Sequence, residues 1–383
     1  MDPVASIIMP CFNSSPYLDA ALSSVWAQTF TDFELIAIDD GSTDATRAIL
    51  ENAAQRDHRL KIIAQPNRGV SSARNRGLDA ARGRYIFFID PDDTAQPNML
   101  SRAIARLEQT KSDCCLFAYQ RRIGERGEWR KIPLQGVYEY ASTNEIIDGF
   151  FPHLFGYSDD QARIWGRRGN WQAGREEGAV WRGGYRMEVI RRCNVRFDET
   201  IVLYEDAMFN CEFLISASSM TCLNEALYNY TVRPSGAATR LNHSMVRVTN
   251  KLRMLAKRDE LDARTHGRLW PLYSASCVFS VMEIIYVLWR RPRDWREGLR
   301  QLRTYLASPS TRRALSTFPL PSRRPLALLL VLVLRGYCRI AAACTHGTAE
   351  SQTRSPSAVL DESDAHGSET PRQCSESPAR TKP

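Results

Sequence analysis

Four short apolar runs in the first hundred residues, each ending abruptly in polar and charged residues, limit what this chain can become more than any other feature. They are "ASIIM" (5–9), "FELIAI" (33–38), "LKIIA" (60–64) and "RYIFFI" (84–89), rich in β-branched side chains and of strand length. Helical patterns lie between them. Pro16 suits the opening of a helix on which Tyr17, Leu18, Ala21, Leu22, Val25 and Trp26 share one face at spacings of three and four. Ser42 or Thr43 suits the cap of a second, with Asp44 in its first turn, where the helix dipole favours negative charge. A third places Val70, Ala73, Gly77, Leu78 and Ala81 on one stripe and stops at Gly83. Alternation of this kind predicts right-handed crossovers and a parallel sheet covered on both faces. The fold class expected is therefore α/β.

Ligands of such sheets bind beyond the carboxyl ends of the strands. Here those ends are "PCFNSSPYL", "DDGSTD", "PNRGVSSARNRG" and "DPDDT". Asp39 and Asp40 offer acceptors for a base or ribose, and Gly41 permits a tight turn. Arg74, at the start of its helix, is in position to reach a phosphate. In "FFIDPDDT" (87–94), Asp90, Asp92 and Asp93 crowd three carboxylates into four positions. Such neighbours raise one another's pKa unless a cation sits among them. A turn after a strand accounts for the pattern, and so does a divalent metal held by oxygen ligands. The eight letters alone weigh the two evenly.

With 383 residues, 43% of them hydrophobic, the chain can bury a core as one large domain with additions, or as two domains. The net charge is +8. The segment from Thr345 onward carries −2, so the rest carries +10, which suits a phosphorylated substrate, an anionic membrane or nucleic acid. No recognition-helix, RRM or zinc-finger signature supports nucleic acid. No GxGxxG follows the first strand, which excludes a nicotinamide-dependent dehydrogenase. Ten scattered cysteines without zinc spacing fit free thiols in a reducing cytosol. "MDPVASIIMPCF" reads as a first strand and not as a signal peptide.

Beyond residue 100 the pattern is mixed. A helix is expected after Pro97, a strand near 114–119, a helical pattern from Glu205, and helix through 245–306. The run 270–289 holds one charge, Glu283, and a buried helix explains it more simply than a membrane span. "PLALLLVLVL" (325–334), roughly 15 Å as a helix, is too short to cross a bilayer. Its flanking arginines suit an interfacial anchor, and a docking helix explains it equally well. From about 345 the Ser/Thr/Pro/Glu-rich sequence predicts disorder.

The stretch "SIIMPCFNSSPYLDAALSSVWAQTFTDFELIAIDDGSTDAT…NRGVSSARNRGLDAARGRYIFFIDPDDT" resembles the nucleotide-binding half of family 2 glycosyltransferases, bacterial inverting enzymes of the GT-A fold. The resemblance is nearly gap-free over residues 4–100. It resumes at "VWRGGYRMEVIRRCNVRFDETIVLYEDAMFN" (180–210) and, loosely, at "LYNYTVRPSGA" (227–237). It implies a Rossmann-like, mostly parallel sheet with a helical C-terminal extension, divided as a GT-A domain over 1–240, with nucleotide-binding and acceptor halves of 1–100 and 101–240. The residue pattern itself adds a helical region over 241–344, either membrane-associating or docked on the fold, and a disordered tail over 345–383. The resemblance implies that Pro10, Phe12 and Asn13 line the base pocket, with Asp40 receiving the base, usually uracil, and Asp39 beside it. Asp90-Pro91-Asp92 matches the family's DxD motif. Asp92 would contact ribose or metal, and Asp93 or Asp92 would ligate Mn²⁺ or Mg²⁺. Glu205-Asp206 matches the ED motif, whose aspartate is the general base. Tyr230, Arg233 and Ser235 approximate a Tyr…Arg…Ser pattern of the family, in which Arg233 would steady the diphosphate; a surface arginine is the alternative. Trp165, Trp171 and Trp181 either wall an acceptor sugar or serve packing. The resemblance implies a nucleotide-sugar donor, a glycan or lipid-linked acceptor and a cytoplasmic site on the inner membrane face. A catalytically silent nucleotide-sugar-binding partner is the alternative.

Overall fold

A computed structural model describes residues 2–155, 178–233, 245–290, 295–318 and 333–335. The four expected strands form one parallel half-sheet. They are β1 (Ala5–Cys11), β2 (Phe33–Asp39), β3 (Leu60–Ala64) and β4 (Tyr85–Phe88), in the order β3-β2-β1-β4. The helices between them are α1 (Leu18–Trp26), α2 (Thr46–Arg56) and α3 (Val70–Ala80), with α4 (Met99–Thr110) after β4.

Period-2 alternation in the strands explains the layering. Ile7, Met9, Leu35 and Ala37 face a core shared with α1, α2 and α4, while Ile8, Ile36, Ile38 and Phe88 face the opposite core with α3. Gly77 of α3 is needed for that packing, because a Cβ there would lie 2.4 Å from Ile8 Cγ2. Asp44 does not sit inside the second helix. It precedes α2, and its Oδ1 accepts the Thr46 N–H at 3.0 Å.

The sheet continues past β4 through further strands, of which local patterning revealed the one near 114–119 and not the others. These are β5 (Thr94–Ala95), β6 (Cys114–Ile123), β7 (Arg130–Ile132), β8 (Gly183–Arg186) and β9 (Met220–Val232). The order runs on as β8-β6-β9-β5, with β7 beside β6. β8 is antiparallel to both β4 and β6, and β9 runs parallel to β6 through a bulge near Phe117–Tyr119. The result is a mixed, mostly parallel sheet flanked by helices. Glycines at 183 and 184 suit β8, since a Cβ on Gly184 would press to 2.6 Å from the Phe87 ring.

The C-terminal part is helical, as expected, but broken into Met245–Arg264, Trp270–Arg290, Trp295–Ala307 and Pro309–Thr317. The apolar Trp270–Leu288 stretch is long enough to cross a membrane, yet Tyr273, Cys277, Val278, Val281 and Ile284 are buried among neighbouring helices. The described residues fall within one unit, Met1–Cys338. The expected boundary at 240/241, most of the 325–334 run, and the tail lie outside the described residues.

Candidate active site

The carboxyl ends of β1, β2 and β4 converge, and hydrogen bonds stitch their loops together. Asn13, in the left-handed region at φ 49°, accepts the Thr43 N–H at 2.8 Å and donates its own N–H to Ser42 Oγ at 3.1 Å. Gly41 has φ 74°, and a Cβ there would lie 2.7 Å from Asn67 N, so the tight turn needs glycine. Phe12 stands at this edge 48% exposed. Asp39 accepts the Ser42 N–H at 3.0 Å.

Arg74 is the centre of the arrangement. Its guanidinium, only 3% exposed, donates to Asp90 Oδ1 at 3.0 Å, Glu205 Oε1 at 3.0 Å and Asp206 Oδ1 at 2.9 Å. It also lies 5.3 Å from the centre of the Phe197 ring. One cation therefore ties the end of β4 to the N-terminus of the helix Glu205–Ser216. Tyr204 turns the chain into that helix with φ 65°, a left-handed conformation rare for a large side chain. Asn250, 2% exposed on the helix Met245–Arg264, fixes the approach. Its Oδ1 accepts the Val202 and Leu203 N–H groups at 2.8 and 3.2 Å, and its Nδ2 donates to Leu203 O at 2.8 Å.

Electrostatics separates the clustered carboxylates. Burial pushes Asp90 up to about 6, with Arg74 opposing it. Burial, reinforced by Asp206, raises Glu205 well above the usual carboxylate range. Burial would raise Asp206 too, but the Arg74 charge and the hydrogen bonds to its carboxylate outweigh it and hold the group low. Burial and Arg74 thus push the two neighbours in opposite directions, Glu205 up and Asp206 down.

A second cation serves the other side of the Asp90–Asp93 turn. Arg233, placed by the end of β9, donates to Asp92 Oδ2 at 3.1 Å, pairs with Glu125 at 2.9 Å and lies 4.2 Å from the Tyr17 ring centre. Tyr17, Asp92, Arg122, Glu125 and Arg233 line a cavity of about 330 Å³. Tyr228 links both sides, accepting the Asp90 N–H at 3.1 Å and donating to Asp93 Oδ2 at 3.2 Å.

The geometry gives several of the expected site residues partners within the protein. Arg74 does not face outward toward a phosphate, because three carboxylates enclose it. Asp93 is 3% exposed, with one oxygen taking the Thr231 N–H at 2.9 Å and the other the Tyr228 hydroxyl, so it does not present a metal ligand. Burial and the neighbouring Asp92 and Asp90 raise its pKa well above normal. Asp40 bonds through both oxygens to Gln65 Nε2 and the backbone of Arg68 and Gly69, at 2.8–2.9 Å, and so organises the loop before α3. Pro10 is buried inside β1. Trp181 is buried and stacks on Tyr228 at 4.6 Å, so it packs the core and walls no open site. Tyr230 stacks on Trp181 as well, at 5.3 Å. Trp165, Trp171 and Ser235 lie outside the described residues. Tyr228, Tyr204 and Asn250 escaped the sequence reading, and only "LYNYTVR" carried a signal for the first.

Among the described residues no group of three or more His, Cys, Asp or Glu side chains could hold a metal alone. Asp90 and Asp92, partly exposed, fit a hard divalent ion that takes its remaining ligands from water and phosphate oxygens.

Residues 6–164 match the model of glycosyl transferase family 2. Over that stretch, about two fifths of its length, the chain is similar to this family. An uncharacterized glycosyltransferase of Bacillus subtilis, EpsJ, is 33% identical over 61% of this chain and 63% of its own length. The uncharacterized glycosyltransferase YibD of Escherichia coli is 29% identical over 59% of this chain and 60% of its own length. This chain thus aligns with under two thirds of either relative. The fold is that of S. aureus TarS, a GT-A protein solved in complex with UDP. Its TM-score is 0.55 at 21% identity, covering 91% of this chain and 92% of that one. The same TarS chain was also solved with UDP-GlcNAc.

Proposed function

We propose that this chain is a family 2 glycosyltransferase, inverting and metal-dependent. It moves a sugar from a nucleotide-sugar, with UDP as the carrier, to a hydroxyl of a glycan or lipid-linked acceptor at the cytoplasmic face of the membrane. The observation that carries the reading is the Arg74 bridge, which brings Asp90 of the strand-end loop and the Glu205–Asp206 pair onto one guanidinium. The UDP bound by TarS supports the choice of carrier.

The side chains divide the work. Phe12 offers an exposed ring face for a base, and Asn13 and Asp39 hold the surrounding loops. Asp90 and Asp92 would hold Mn²⁺ or Mg²⁺, which when bound offsets charge on the leaving diphosphate. Inversion needs a base on the face opposite the leaving group, and ionised Asp206 receives the acceptor hydroxyl's proton there. Burial and the neighbouring Asp206 raise the Glu205 pKa, which opposes a second negative charge beside the base. Arg74 holds Asp206 and Asp90 at fixed separation and keeps Asp206 ionised.

Calorimetric titration of UDP with Mn²⁺ and then with EDTA, on the native chain and on Asp92→Ala, tests the site. Turnover of UDP-sugars by Asp206→Asn tests the base. Metal-dependent binding weakened in the first variant, and transfer lost in the second with binding kept, are expected. Equal binding with and without metal would refute the metal site. Metal-dependent binding without turnover of any sugar nucleotide would favour the silent-partner reading.

A further inference from the structure

We propose that the helix Trp295–Ala307 is a docking face for membranes rich in anionic lipid. Its inner side is committed to the fold: Gly298, Tyr305 and Leu306 are buried, and Gly298 packs directly on Leu288. Its outer side is unusual for a protein surface. Trp295 is 51% exposed, and Leu299, one turn on, is exposed too. Arg296, Arg300 and Arg303 flank them, and together with Thr304 these residues line a shallow hollow of about 490 Å³.

An indole and a leucine left in water beside three guanidinium groups match the bilayer interface. The apolar groups enter the headgroup boundary, and the arginines meet lipid phosphates with their stems lying along apolar surface. Arg296 already sits 5.7 Å from the Trp295 ring centre, so charge and apolar surface are adjacent. The helix has one acidic residue, Glu297, which is occupied by Arg300 and Gln301. Its net charge is +2, from three arginines and one glutamate. A symmetric contact with a second copy would set arginine against arginine, which disfavours self-association through this face. Nucleic acid would match the arginines and leave Leu299 without a use. The inference stands apart from the sugar-transfer reading, since vesicle binding needs neither donor nor metal.

The test is co-sedimentation of the full chain with phosphatidylcholine vesicles, with and without phosphatidylglycerol. Native protein is compared with Arg296→Glu/Arg303→Glu and with Trp295→Ala/Leu299→Ala. Both side-chain pairs are solvent-facing, and circular dichroism checks that the variants fold. Native protein is expected to bind only the anionic vesicles, with partitioning falling about tenfold or more in the charge-reversal variant and falling clearly in the apolar one. No native binding would overturn the proposal. Binding that survives both variants would place the contact elsewhere in the chain and overturn it equally. A native dimer that Trp295→Ala/Leu299→Ala converts to monomer, without vesicle binding, would assign the face to a second copy.

Discussion

Replacing Arg74 by methionine removes the cation that Asp90, Glu205 and Asp206 share at 2.9–3.0 Å. Each pair of opposite charges at about 4 Å contributes about 4 kcal/mol at an effective dielectric of about 20, and the repulsions among the carboxylates offset much of that. Removing one member of a buried ionic cluster costs about 3–5 kcal/mol, which is the deficit expected for Arg74→Met near pH 8. The deficit has a defined pH dependence. In the native chain Asp206 is held low, so its contribution is present above its unfolded pKa and fades as the solution turns acidic. In the variant all three carboxyls sit high, and groups with raised folded pKa values favour the fold at low pH and lose that contribution as pH rises. The gap between native and variant should therefore widen from pH 5 to pH 8. Urea unfolding followed by tryptophan fluorescence, without metal or nucleotide, measures it. Arg74→Lys should recover part of the loss, because an ammonium keeps the charge but lacks the fork that spans three carboxylates. A deficit under about 1 kcal/mol, or one independent of pH, would refute the bridging role.

Asp206→Asn should lower sugar transfer by about 10²–10⁴-fold with little change in UDP affinity, read by turnover and calorimetry. Asp92→Asn should weaken metal-dependent UDP binding at least about tenfold, whereas Asp93→Asn should leave it nearly intact, because Asp93 already bonds to Thr231 and Tyr228. Equal losses in both would return Asp93 to the metal. Asn250→Ala unties the segment before Tyr204 and leaves buried backbone N–H groups unpaired. It should cost about 1–3 kcal/mol in urea unfolding and lower kcat more than it alters UDP affinity.

The parallel half-sheet was legible because its causes are local. Apolar runs of strand length, helical stripes such as Ala73–Gly77–Leu78, and the turn glycine Gly41 each express a periodicity or a backbone requirement within a dozen residues. The carboxylates at the end of β4 and at Glu205–Asp206 were visible for the same reason, as clusters in the chain. β5, β7 and β8 were not visible, being two to four residues long and defined by pairing with distant strands. The partition of the carboxylates was not visible either. Arg74 meets Glu205 and Asp206 across 131 and 132 positions, and Arg233 meets Asp92 across 141. Those distances are closed by the order of strands in the sheet and by the helix that carries Asn250. The sequence by itself determined that negative charge would gather at this edge. The three-dimensional arrangement sets which carboxylate is pushed up, which is held low and which is capped by the protein, because Coulombic and desolvation energies depend on separation in space and not on separation along the chain.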